Sequence, residues 1–219
     1  GAIAADRGTL TLTRVKLTLN TAVRGGGLHA DQAPVSGNDV EVSDNTATEW
    51  GGGVNMMSSS LQLGTGSRVA RNVADFGGGI FAMAAGQTII GGTGAAASGR
   101  LLIEDNNSGG SGGGFGVAGR LPFGNAPPLT LRNLTLRQNL AAGSGGGAYV
   151  FLNGSGVADP VIVTDVEFTA NEAGFSGGGL YLATPRSGSE SSAQRLSFRD
   201  NVAGELGGAV FPQVTLVAG

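Results

Sequence analysis

Apolar and polar residues alternate in short runs along most of this chain, and the runs recur. Val40 and Val42 precede Asn45, Leu134 and Leu136 precede Asn139, Val166 and Phe168 precede Asn171, and Leu196 and Phe198 precede Asn201. A period of two places one face of a strand in a core. A second run follows in each unit, as in Val54-Asn55-Met56, Ile80-Phe81-Ala82, Leu180-Tyr181-Leu182 and Val210-Phe211. A third fills most of the remainder, as in Leu61-Gln62-Leu63, Thr88-Ile89-Ile90, Leu129-Thr130-Leu131 and Val161-Ile162-Val163.

Between the first and second runs stands a fixed phrase, an Asn followed by a glycine pair or triplet and an apolar residue. It occurs at Asn20, Asn45, Asn72, Asn106, Asn139, Asn171 and Asn201, at intervals of 25, 27, 34, 33, 32 and 30 residues. These intervals are those of a solenoid. Helical repeats are excluded because Gly triplets break helices at ~1 kcal/mol per Gly and no 3.6-residue apolar stripe survives between them. A propeller blade needs about 40 residues and four strands. The pattern predicts an all-β fold, a right-handed parallel β-helix of about seven coils with three short strands per coil. We expect residues 1–219 to be a single such segment, with no second domain visible among them. Strand-like runs reach both ends without polar caps, so we expect a segment of a longer chain or a unit capped by neighbours.

Coils one strand spacing apart, ~4.8 Å, stack equivalent residues into columns. An inward Asn at a corner can donate to the carbonyl of the coil above and accept from the coil below, which predicts a buried amide ladder of the seven Asn. Asn and Gly also suit the left-handed backbone of sharp turns.

Composition narrows the reading. Gly supplies 42 residues, but Pro only 7 and apolar residues 40%, so the glycines are corners in a folded chain and not a collagen or a disordered tract. With net charge −3 and 13% charged residues there is no footprint for nucleic acid. Cys is absent, which removes disulfides and thiolate metal sites, and no apolar run approaches the ~20 residues of a membrane span.

Chemistry can only sit on outward columns. Lys16, Glu41 and Arg68 alternate in sign on adjacent coils, and Glu104 neighbours Arg137, as register aids on a solvated face. The column after the glycines reads His29, Asn55, Phe81, Gly116, Tyr149, Tyr181, Phe211, between two inward columns. Tyr149, Tyr181 and Phe211 form an aromatic stripe, with Phe81 further along, fit for sugar rings or a partner protein unless loops cover it. Asp44, Asp105 and Asp200 precede Asn in coils two, four and seven, too far apart for a catalytic pair. His29, the only histidine, reads as a surface residue, and no nucleophile, phosphate-loop or calcium-repeat motif occurs. Asn-x-Ser/Thr patterns stand at Asn106, Asn133 and Asn153; the first belongs to the ladder, leaving Asn133 and Asn153 as candidate glycan carriers.

The repeats resemble those of chlamydial polymorphic outer membrane proteins. Phe168-Thr169-Ala170-Asn171 and Phe198-Arg199-Asp200-Asn201 match FxxN, and Gly207-Gly208-Ala209-Val210 matches GGA[ILV]; the other copies carry Leu, Val or Ile for Phe and GGG for GGA. The resemblance implies an extracellular or cell-surface β-helix, a passenger used in adhesion, although no barrel segment is present. The expected function is a non-enzymatic adhesin-like passenger, stalk or assembly module, needing no cofactor or metal. Expected partners are other protein chains, joined laterally or end to end, or surface glycans. The alternative is a polysaccharide lyase or glycosidase whose groove forms from the longer insertions, including Ala84 to Gly99, Gly119 to Pro128 and Ala183 to Ala193.

Overall fold

The computed structural model describes residues 1–83, 88–93, 99–119, 129–152, 161–183, 191–213 and 216–218. They form a parallel β-solenoid of three sheets in which each strand pairs with its counterpart in the next coil. The runs after the glycines build an eight-stranded sheet from Ile3–Asp6 through Ala148–Leu152 and Leu180–Ala183 to Val210–Gln213. We call it the post-glycine sheet.

The other two sheets divide each coil differently from the sequence expectation. The third run of one unit and the pre-Asn run of the next are a single nine-residue strand in Leu10–Thr18, Val35–Ser43, Leu129–Arg137, Val161–Thr169 and Ser191–Arg199. Each bends midway at a left-handed residue, Arg14, Asp39, Asn133, Asp165 or Arg195, with φ between 52° and 56°. A seven-stranded sheet of very short strands follows the Asn residues, including Val73–Ala74, Leu140–Ala141 and Glu172–Ala173. Its inward residue is Ala22, Ala47, Ala74, Ser108, Ala141, Ala173 or Ala203, too small and too isolated to write an apolar period.

The two columns flanking the aromatic stripe face the core. Leu28, Val54, Ile80, Phe115, Ala148 and Leu180 are buried on one side, and Ala30, Met56, Ala82, Val117, Val150 and Leu182 on the other. Beneath them Phe168 and Phe198 stack with centroids 4.8 Å apart and planes 2° off parallel.

The Asn ladder is continuous from Asn20 to Asn201. Asn139 Nδ2 donates to Asn171 Oδ1 at 2.9 Å and to the Ile103 carbonyl at 3.0 Å. Asn139 Oδ1 accepts from the backbone N–H and the Nδ2 of Asn106, at 3.1 and 3.0 Å. The same set recurs at Asn45, Asn72, Asn106 and Asn171. Each interior amide therefore uses both hydrogens and both lone pairs, the full capacity of the group. The directions differ from expectation: the forward bond goes to the next side chain, and the backbone carbonyl reached belongs to the preceding coil.

The left-handed turn also falls elsewhere. It is the residue before each Asn that has positive φ: Leu19 61°, Asp44 58°, Arg71 54°, Asp105 53°, Gln138 54°, Ala170 53° and Asp200 54°. Such a residue costs ~1–2 kcal/mol when it is not glycine, and the amide bonds on its neighbour hold it there. The glycine runs serve two purposes. The first glycine, such as Gly77, has φ 62°, and the third, such as Gly79, lies so near the next coil that a Cβ would stand 2.5 Å from the Gly114 carbonyl oxygen.

Candidate contact surface

Register places His29, Asn55, Phe81, Gly116, Tyr149, Tyr181 and Phe211 opposite one another on successive strands, in the order expected. Tyr149 and Tyr181 stack with centroids 4.9 Å apart, and Tyr181 and Phe211 at 5.5 Å, with planes within 20°. Phe151, two residues along the strand, lies 6.4 Å from Tyr149. All four rings are half-buried. Burial raises the Tyr149 hydroxyl above the usual tyrosine range, with a smaller contribution from Tyr181.

Phe81 stands apart from this stripe. Gly116 interrupts the column between it and Tyr149, and Trp50, projecting from the preceding corner, stacks on it at 5.3 Å. Phe81 is consequently 3% exposed and offers no contact face, contrary to the sequence expectation. Arg24 lies over the Trp50 ring at 4.1 Å and donates from Nε to Glu49 at 2.8 Å. His29 is half-buried against Asn55, whose Nδ2 stands 2.8 Å from His29 Nδ1.

Charge is concentrated on the long-strand sheet. Lys16, Glu41, Arg68, Glu104 and Arg137 form one alternating array: Glu41 meets Lys16 at 3.1 Å and Arg68 at 2.5 Å, and Glu104 meets Arg68 at 3.8 Å and Arg137 at 2.5 Å. Asp44 and Arg71 form a two-pronged pair beside it, each bond 2.8 Å. The hydrogen bonds from Arg68 and Lys16 hold Glu41 at a pKa of about 2. Arg71 lowers Asp44 in the same way. This face is less solvated than expected, since Ser43, Ala70 and Glu104 are buried. The guanidinium groups therefore act in part as partners for shielded carboxylates and not only as register aids.

Asp44, Asp105 and Asp200 all lie at the left-handed corner position, and Asp44 is tied to Arg71. Among the described residues there is no group of three or more His, Cys, Asp or Glu that could hold a metal ion. Among the described residues no helix is long and apolar enough to cross a membrane. Asn133, expected at the surface as a glycan carrier, is buried at a strand bend with Nδ2 directed at the Gly92 carbonyl, 3.5 Å away. Asn153 lies outside the described residues, as does most of the three insertions expected to form a groove.

Sequence reasoning passed over Trp50 as a cover for Phe81. The signal was present, since it is the only Trp and directly precedes a glycine triplet where a side chain can reach the next strand. Comparison with models of protein families, with curated proteins and with solved structures finds no match to the chain.

Proposed function

We propose that this chain is a non-enzymatic extracellular or cell-surface β-helix, an adhesin-like passenger, stalk or assembly module that makes contact through the Tyr149–Tyr181–Phe211 stripe. The observation that carries this reading is the stripe itself, three half-buried rings in register on consecutive strands of one sheet. A rigid scaffold holds the rings at fixed spacing, so little side-chain entropy is lost when a partner covers them. The FxxN and GGA[ILV] repeats support a cell-surface location.

The carbohydrate-active alternative needs carboxylates free to converge on a substrate. Glu41, Asp44, Glu104 and Asp165 are each engaged by an Arg, and the unpaired Glu172 and Glu205 are exposed side chains of an outward face.

The test is adhesion of the protein to cultured cells and to immobilised glycans, comparing the native chain with a Tyr149→Ser/Tyr181→Ser variant. Far-ultraviolet circular dichroism checks that the variant is folded. We expect adhesion to fall with the fold intact; undiminished adhesion by the folded variant overturns the proposal.

A further inference from the structure

A second surface lies away from the stripe, on the short-strand sheet and the corner leading to the glycines. Leu140, Phe175, Val202 and Leu206 are 41%, 54%, 58% and 56% exposed, half of the large apolar side chains described as exposed. They are neighbours. Leu140 pairs with Glu172 and Glu172 with Val202 in one column. In the next, Glu205 donates its backbone N–H to the Phe175 carbonyl at 2.8 Å, and Leu206 bridges to Ser176. Around them Ala142, Gly174 and Gly204 are exposed, so little side chain rises between the apolar groups.

The unpaired charge of this face is negative. Across the segments joining each Asn to its first glycine, the charged residues are Arg24, Glu49, Asp75, Glu172 and Glu205. Arg24 is consumed by Glu49. Glu172 and Glu205 are exposed and make no ion pair among the described residues. An apolar patch interleaved with unpaired carboxylates complements apolar anchors accompanied by ammonium or guanidinium groups, and the Phe175 ring adds a cation–π surface.

We propose that this face, formed by Leu140, Phe175, Val202 and Leu206 with Glu172 and Glu205, docks a short basic, apolar segment of another protein. Three coils span only ~10 Å along the rod between first and last strand, too short for a patch of the ~800 Å² per partner that a stable folded interface needs. A peptide segment fits that size and a second copy of the rod does not. The proposal rests on the reading of the rod as a contact module but uses different residues, so the Tyr149/Tyr181 variant and the variants below fail independently.

The experiment titrates the whole chain with two fluorescent peptides of equal length, one of alternating Leu and Lys and one of alternating Leu and Glu, followed by anisotropy. We expect the Lys peptide to bind and the Glu peptide not to. Glu172→Gln/Glu205→Gln and, separately, the charge-neutral change Phe175→Ser should each weaken binding at least about tenfold, while Asp75→Asn should leave it unchanged. Equal binding of both peptides, no binding of either, or native affinity in both patch variants overturns the proposal. Loss in the charge variant with none in Phe175→Ser also overturns it, since the attraction would then be electrostatic alone.

Discussion

Replacing Asn139 by Ala strikes the ladder in its interior. The change removes four hydrogen bonds, two donated by Nδ2 and two accepted by Oδ1. It leaves the Asn106 backbone N–H and one Asn106 Nδ2 hydrogen without an acceptor, and the Ile103 carbonyl without this donor. Asn106, Asn139 and Asn171 are each at most 1% exposed, so water does not replace the lost partners. Each orphaned buried group costs ~1–3 kcal/mol. Three of them give about 3–6 kcal/mol after allowing for relaxation of the small void, and the midpoint temperature should fall by roughly 10 °C for a chain of this size. The assay is thermal and urea unfolding followed by circular dichroism, with Asn20→Ala as the reference. Asn20 is half-buried, and its Nδ2 bonds are to the Thr18 carbonyl and Asn45 Oδ1, so about 1 kcal/mol is expected. A loss below about 1 kcal/mol for Asn139→Ala, or equal losses at the two positions, would show that the ladder is a consequence of stacking and not one of its causes.

Three further outcomes follow from the geometry. Gly79→Ala should destabilise by several kcal/mol in urea unfolding, on the order of a severe overpacking change, because its Cβ would meet the Gly114 oxygen at 2.5 Å and Asn106 Cγ at 2.9 Å; Ala209→Gly, at the equivalent exposed position, should change little. Ala170→Gly relieves a left-handed alanine with φ 53° and should stabilise the fold by ~1 kcal/mol in the same assay. Glu41 titrates at about 2 in the fold, below its ordinary value of 4.5, so the stability it adds is complete above about pH 4.5 and disappears as pH falls toward 2. Because Lys16 and Arg68 are well exposed, this amounts to roughly 1 kcal/mol, and Glu41→Gln should flatten the decline in unfolding free energy over that interval.

The parallel sheets, the Asn column and the order of the aromatic column were legible because each rests on a repeated residue at a repeated place. A single Asn says little; seven of them before glycines define a register. What was not legible depends on side chains crossing between columns. Phe81 reads as an outward ring until Trp50 folds over it, and Glu104 reads as solvated although it is buried beside Arg68 and Arg137. The short-strand sheet escaped notice because an isolated Ala has no periodicity to display, and the left-handed corner was credited to Asn when Leu19, Gln138 and Ala170 show that any residue can be held there. Asn133 carries a glycosylation pattern that a strand bend turns inward, which no linear pattern encodes.

All the bonds that join one coil to the next point along the axis of the rod. A pull on the two ends therefore meets them one coil at a time, and an outer coil peels away before its neighbour carries load. With 30 residues between Asn171 and Asn201, each coil released would lengthen the chain by roughly 100 Å. Between two anchoring points such a molecule is a stepwise extensible tether, stiff until a coil yields and then longer by that coil's own length of chain.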